Sequence, residues 1–431
     1  MIDRLFKSSF FRSLAVLTGG SFIGTIIIAI SEIARTWIFP TEYVGIYTFL
    51  LTIPTTFISI TSLRYDIAIV IEEDDRKALS LVKLSGLLSI IVSVLITIGF
   101  VFFILLVHCD YVQYLYLTPI IFLIMIGYSS NNILNAYNNR YKEYSTISKK
   151  YILRTATQYF GSVILGFIIV TLLKQQTWSV LIMMAPYGLG LFAGGKTQAK
   201  GLLRRWDEIK SITRNEMWEV AKKYRRQAYF STPALFLNSY SFSIITFQIE
   251  SIFDTTTLAL YSISNRILGM PIGLVSGNVA KVYIEDASRE YEKTGKFVSS
   301  YKKTIMFLIV ISIPLFLGMY FIAPPVCAKL LGTGWSDAGD YIKILSLMFS
   351  FRLIGTAISQ SLAVCNKQGW ELIVNGSLII ASIFSGILAT LARGDIYYFL
   401  SVLCISRTLC YFLLIILVFY FSKGSSHDKN M

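Results

Sequence analysis

Long apolar runs alternate with short charged interruptions along the whole chain, a pattern that predicts membrane-crossing helices rather than the half-polar elements of a soluble core. A run needs about 20 residues to cross a ~30 Å hydrocarbon layer at 1.5 Å per residue. Twelve runs qualify, at roughly 13–39, 43–70, 79–107, 115–138, 149–173, 178–200, 227–250, 256–284, 304–324, 338–364, 370–391 and 396–422. The second is not uniformly apolar. Thr48, Thr52, Thr55, Ser59, Ser62 and Asp66 follow one another at steps of three or four, so on a continuous helix they share one face. A helix in lipid carries such a seam when it lines a neighbour or a wet cavity.

Part of this stretch recurs. Phe39-Pro-Thr, Gly45 and Tyr47 are echoed by Phe253-Asp-Thr, Ala259 and Tyr261, and Leu51-Thr-Ile-Pro54 by Leu268-Gly-Met-Pro271. The offsets of 214 and 217 residues are about half of 431, which predicts a duplicated chain. Pro54 and Pro271 then fall at matching places, where a missing backbone hydrogen bond bends a gating helix or simply kinks it for packing.

Apolar residues make up 55% of the sequence and charged residues 15%, which excludes a soluble multi-domain enzyme. The five cysteines are scattered, and the two histidines, His108 and His427, fall in a loop and a tail. No metal site, cofactor or catalytic residue is expected. A net charge of +14 would suit nucleic acid, but the basic residues follow membrane topology and form no groove. With the N-terminus inside, 29 of the 39 lysines and arginines, Arg4, Lys7 and Lys429 among them, fall on the cytoplasmic side. Outer loops keep Lys174, Lys329 and Arg393. Trp37, Trp178 and Trp335 fall at outer boundaries and Trp206, Trp218 and Trp370 at inner ones, as interfacial anchors do. Both termini are therefore placed in the cytoplasm. The fold expected is all-α and integral to the membrane: two parallel six-helix repeats around a central cavity. The N-terminal lobe covers 1–200 and the C-terminal lobe 227–431. A basic amphipathic helix at 201–226 joins them along the membrane surface.

Charges inside the spans carry the candidate chemistry. Arg266 and Arg352 lie about 16–21 Å deep along their helices, where an arginine costs at least ~2.5–3.5 kcal/mol. Arg407 is similarly deep, while Arg154 and Lys343 are close enough to an interface to snorkel. Arg266 shares a face with Ser262, Gly269, Gly273 and Gly277, and Arg352 with Thr356, Ser359 and Ala363. Such stripes line a cavity or mark close helix contacts. Arg64 falls off the polar seam, and Arg35 has Glu32 one turn earlier, as a cavity group or an ion pair. Acids are few, Glu32, Asp66 and Glu250 being the main ones, so a wet interior would select anions, phosphate above all.

Four motifs together resemble the Wzx-type polysaccharide flippases, a branch of the multidrug/oligosaccharidyl-lipid/polysaccharide exporter superfamily. They are Leu63-Arg-Tyr-Asp-Ile-Ala-Ile-Val with Asp74-Asp75; Leu134-Asn-Ala-Tyr-Asn-Asn-Arg140-Tyr with Arg154; Tyr261 with Arg266-Ile-Leu and Pro271; and Gly334-Trp-Ser-Asp-Ala-Gly339 with Arg352. The resemblance implies transfer of an undecaprenyl-diphosphate-linked oligosaccharide to the outer leaflet of a bacterial inner membrane. The diphosphate would meet Arg266, Arg352, Arg64 and Arg35, and the sugars Asn131, Asn135, Thr52 and Ser59. Coupling to protons or sodium would fall to Asp66 and Glu32. A polysaccharide polymerase and a chain-length regulator are partners to expect. The competing readings are a multidrug exporter of the same superfamily, which wants a carboxylate-rich cavity, and a membrane-embedded polymerase or assembly subunit. The acidic run Glu72-Glu-Asp-Asp75 is expected as a solvated loop.

Overall fold

A computed structural model describes residues 9–365, 367 and 369–424. Arg4, Lys7, His427 and Lys429 lie outside the described residues. Those described form helices and loops without a strand. The helices are α1 (Ser9–Ile38), α2 (Thr41–Phe57), α3 (Tyr65–Ile71), α4 (Asp75–Leu106), α5 (Thr118–Arg140), α6 (Tyr144–Gly166) and α7 (Ser179–Gly190). The short α8 (Gly195–Arg204), α9 (Trp206–Ser211) and α10 (Arg214–Lys223) follow. Then come α11 (Thr232–Ile252), α12 (Thr255–Thr294), α13 (Val298–Leu317), α14 (Ala323–Leu330), α15 (Ala338–Ile358), α16 (Ser361–Val364), α17 (Gly369–Leu391) and α18 (Ile396–Ser422). Among the described residues, 11 helical stretches are long and apolar enough to cross a membrane. The protein is a multi-pass membrane protein. The expected seventh span, 227–250, corresponds to α11, whose polar residues, Asn238, Gln248 and Glu250 among them, keep it out of that set.

Contacts divide the chain into two compact units, Met1–Ser239 and Tyr240–Met431. The boundary falls inside α11, later than the expected 227. In the first unit α1 packs along α6, α6 against α7, and α4 against α5. Serines and glycines allow the close approach: a β-carbon on Gly20 would run into Ser148, and one on Gly166 into Phe39 and Ile38. Helices gain no hydrophobic drive from association in lipid, so such close contacts and interhelical hydrogen bonds hold them together. In the second unit α15 is the centre, packed against α12 and α18. Two-thirds of its most apolar window is buried. Ser264 Oγ donates to the Ala338 carbonyl (2.9 Å) and Ser276 Oγ to that of Leu353 (2.8 Å), tying α12 to α15 at both ends.

The two echoed stretches begin alike: Pro40 and Asp254 each occupy the N-cap of their helix. They then diverge. α12 runs unbroken through Pro271 for 40 residues, whereas α2 ends at Phe57, one turn after Pro54. A 3-10 turn follows at Ile58–Ile60, and then Leu63 (φ 48°) and Arg64 (φ 63°) take the left-handed conformation before α3 begins. Left-handed backbone costs a residue with a side chain about 1–2 kcal/mol, so two in succession enforce a break. The seam from Thr48 to Asp66 is therefore not one helical face.

The 201–226 stretch also differs from expectation. It is the end of α8 followed by α9 and α10, all within the first unit, and not one continuous helix. Its apolar residues Ile209, Ile212 and Val220 pack with Ile69, Leu79, Val82 and Ile133 from α3, α4 and α5. Trp335, expected at an interface, is only 2% exposed and belongs to the core of the second unit.

Candidate functional site

Polar and charged side chains gather in four places, three in the first unit and one in the second. The first is a charged clasp formed by the 201–226 stretch with the chain around Glu72 and Asp75. Asp75 accepts from Arg140 (2.9 Å), Arg205 (3.0 Å) and Tyr141 Oη (3.2 Å). Arg140 also donates to the carbonyls of Ile69, Glu72 and Glu73, so it closes the chain end left open after α3. Glu72 is almost wholly buried, yet it accepts from Lys223 Nζ (2.6 Å) and Tyr224 Oη (3.2 Å). Burial alone would push the Glu72 carboxyl up; the donors from Lys223, the Asp74 amide and Tyr224 overcome it and hold it below the ordinary value. Arg76–Glu216 and Lys77–Glu219 complete the clasp. The Arg76 guanidinium and the Thr213 donors pull the Glu216 carboxyl down to about 2. The acidic run is thus not a free solvated loop: Glu72 and Asp75 are tethered, and Asp74 caps α4 through Lys77 N (2.9 Å).

Arg35 and Glu32 form the second cluster. Both are buried, with Nη1 donating to Glu32 Oε1 (3.2 Å) and Nε and Nη2 to Ser162 Oγ (2.9 and 2.7 Å). Tyr47 and Tyr159 place their rings 5.6 and 5.0 Å from the guanidinium. Its hydrogen bonds fix α1 to α6, the ion-pair alternative for this residue.

Third is a groove of about 500 Å³ between α3, α5 and α6. It brings together two residues singled out from sequence, Asp66 and Asn135, with Asn139, Tyr144 and apolar Ile67, Val70 and Ile147. Ser62 Oγ donates to Asp66 Oδ1 (2.7 Å), and Gln198 Nε2 to Asn135 Oδ1 (2.6 Å). Asn131 is not in this group. It is 2% exposed and donates to the Leu191 carbonyl (3.0 Å), holding α5 to the end of α7. The seam hydroxyls are largely turned back on their own helix: Thr52 donates to the Thr48 carbonyl (2.7 Å) and Thr55 to that of Leu51 (2.9 Å). Ser59 instead meets Ser239 (3.4 Å). Arg64 stands half-buried at the break with Nε unbonded. The Arg154 guanidinium lies over the Tyr151 ring at 5.0 Å, with Nε buried and unbonded.

The fourth place is in the second unit. A β-carbon built on Gly269, Gly273 or Gly277 would meet nothing within 4 Å, so the small-residue stripe beside Arg266 is an open face and not a close helix contact. Arg352 lies over Phe242 (4.1 Å) and Phe349 (5.2 Å). Arg407, to which the sequence assigned no role, lies over the same Phe242 ring (4.8 Å) and is fully buried. The two guanidinium carbons are therefore at most about 9 Å apart. At an effective dielectric of ~20 two such charges repel by about 2 kcal/mol. Depth alone flagged Arg407; its pairing with Arg352 was invisible because the two lie on different helices.

Against known proteins, residues 218–340 match a family described as polysaccharide biosynthesis protein. No curated protein sequence matches the chain. Solved structures show the fold. An inward-facing multidrug resistance MATE family transporter of the MOP superfamily is 16% identical, with a TM-score of 0.68 over 93% of both chains. The lipid II flippase MurJ in an inward closed conformation is 15% identical, with a TM-score of 0.69 over 93% of this chain and 87% of that one. A MOP superfamily transporter from Pyrococcus furiosus, described as having a binding pocket of reversed polarity, is 14% identical with a TM-score of 0.62, over 97% of this chain and 96% of that one. The chain has a MATE/MurJ-like fold.

Proposed function

We propose that the chain is a non-enzymatic flippase. It passes an undecaprenyl-diphosphate-linked oligosaccharide from the cytoplasmic to the outer leaflet of a bacterial inner membrane by alternating access, for O-antigen, capsule or exopolysaccharide synthesis. The observation that carries this reading is the open, glycine-lined face of α12 with Arg266 among its residues. A bulky polar cargo needs small residues along its path, and a diphosphate needs fixed cations. The match to a polysaccharide biosynthesis family over 218–340 and the transporter fold support it.

In this reading α11 is the seventh of twelve spans, the halves are parallel repeats, and both termini are cytoplasmic. Arg266, Arg352 and Arg64 hold the diphosphate, with Arg35 behind them. Asn135, Thr52 and Ser59 meet the sugars, with Asn131 supporting Asn135 from within α5. Asp66 and Glu32 are the groups for proton or sodium coupling, and Pro54 and Pro271 bend during gating. Outward movement of each negative charge is favoured by ~2.3 kcal/mol per 100 mV of inside-negative potential. The test is complementation of a flippase-deficient strain. Wild type restores surface polymer, whereas Arg266→Ala and Arg352→Ala accumulate lipid-linked repeat units at normal protein level. Normal polymer from both variants rejects the reading.

A further inference from the structure

Arg407 presents a physical anomaly that the transporter reading does not by itself absorb. Its side chain is fully enclosed, and one nitrogen, Nη2, donates to the Ser241 carbonyl (2.8 Å) while Nε and Nη1 have no hydrogen-bond partner. Arg352 makes no hydrogen bond or ion pair among the described residues, and no described carboxylate pairs with either arginine. The Phe242 face attracts both cations but accepts none of their N–H groups in the plane where a guanidinium donates. Two like charges share one ring and leave their donor edges unfilled. An enclosed cation pair of this kind is stable when an anion completes it.

We propose that Arg352 and Arg407, spaced by Phe242, form an oxyanion site for a phosphate-class ligand inside the second unit. Arg352, partly exposed, is the group an incoming anion meets first, and Arg407 the deeper one. Planar guanidinium forks match phosphate oxygens in pairs, so a diphosphate places one phosphate on each arginine. The chemistry is common to a lipid-linked diphosphate headgroup and a free inorganic anion. Assignment to the headgroup rests on the flippase reading; the site itself does not.

The experiment titrates inorganic pyrophosphate into the purified full-length protein in lipid nanodiscs, followed by calorimetry and by the thermal unfolding midpoint. Wild type binds saturably and is stabilised by the anion. Arg352→Gln and Arg407→Gln each weaken binding by about 10-fold or more, the loss of one charge-assisted pair. Arg352→Lys, which keeps the charge but not the fork, is intermediate, and Lys329→Gln, an exposed cation of the same unit, binds as wild type. If Arg407→Gln fails to fold, the partly exposed Arg352 variants carry the result. Competition by polyprenyl diphosphate added to the nanodisc identifies the lipid headgroup as ligand, and its absence identifies the free anion. Absent pyrophosphate binding in wild type, or equal affinity in wild type and the Gln variants, overturns the site whatever polymer export does. Binding lost in both Gln variants while their strains still export polymer keeps the site and rejects its assignment to the cargo.

Discussion

The clasp between Glu72 and Lys223 is asymmetric, and its two halves respond differently to mutation. The Glu72 side chain is 3% exposed while that of Lys223 is 48% exposed. Lys223→Met leaves an enclosed carboxylate without its cation. A fully buried pair broken in this way loses ~3–5 kcal/mol; with Tyr224 and the Asp74 amide still donating, about 2 kcal/mol is expected here. Glu72→Gln leaves an ammonium that water rehydrates, so its cost is about 1 kcal/mol. The double variant should resemble Glu72→Gln alone, a coupling of about 2 kcal/mol. The assay is amide hydrogen exchange across 212–224 in nanodiscs, where 2 kcal/mol is about a 30-fold faster local opening. The sign with pH follows from the depressed Glu72 carboxyl. Its contribution is fully present above the ordinary carboxylate value of 4.5 and is lost as pH falls through the lower, folded value. Unchanged protection in Lys223→Met, or a larger loss in Glu72→Gln, refutes the reasoning.

Three further outcomes are expected. Gly339→Ala drives a β-carbon to 2.7 Å from the Pro324 backbone and should cost about 1–3 kcal/mol, whereas a β-carbon at Gly273 meets nothing within 4 Å, so Gly273→Leu should leave the thermal midpoint within a degree or two while blocking polymer export. Glu32→Gln strands buried Arg35 and should lower stability by about 3 kcal/mol, with the Glu32→Gln/Arg35→Gln double variant recovering much of it; thermal unfolding of the three proteins checks this. Lys174→Gly relieves a left-handed residue (φ 54°) in an exposed loop and should raise the midpoint, by about 0.5–1 kcal/mol of stability.

Helix existence was legible wherever an apolar run exceeded membrane thickness, and α1, α4, α17 and α18 follow their runs closely. The exceptions have physical reasons. Nothing in Thr61-Ser-Leu-Arg64 announces a break, because left-handed backbone is normally written with glycine or asparagine and here falls on leucine and arginine. The clasp joins Asp75 to Arg205 and Glu72 to Lys223 across more than a hundred residues, a pairing that charge patterning in short windows does not reveal. Trp335 reads as an interfacial anchor by position but is enclosed. Among the site residues, the position of Arg266 and Arg352 inside long apolar runs was visible from sequence. That the glycine stripe is open, that Asp66 and Asn135 share a groove, and that Arg407 joins Arg352 required coordinates.

The most direct measurement reconstitutes the purified protein in liposomes with a labelled polyprenyl-diphosphate oligosaccharide and follows its movement between leaflets by protection from an added glycosidase. Leaflet exchange is expected for the diphosphate-linked cargo, with loss in Arg266→Gln and Arg352→Gln. Equal movement of a polyprenyl glycoside lacking phosphate, or of the diphosphate cargo in both variants, contradicts an arginine-read anionic substrate.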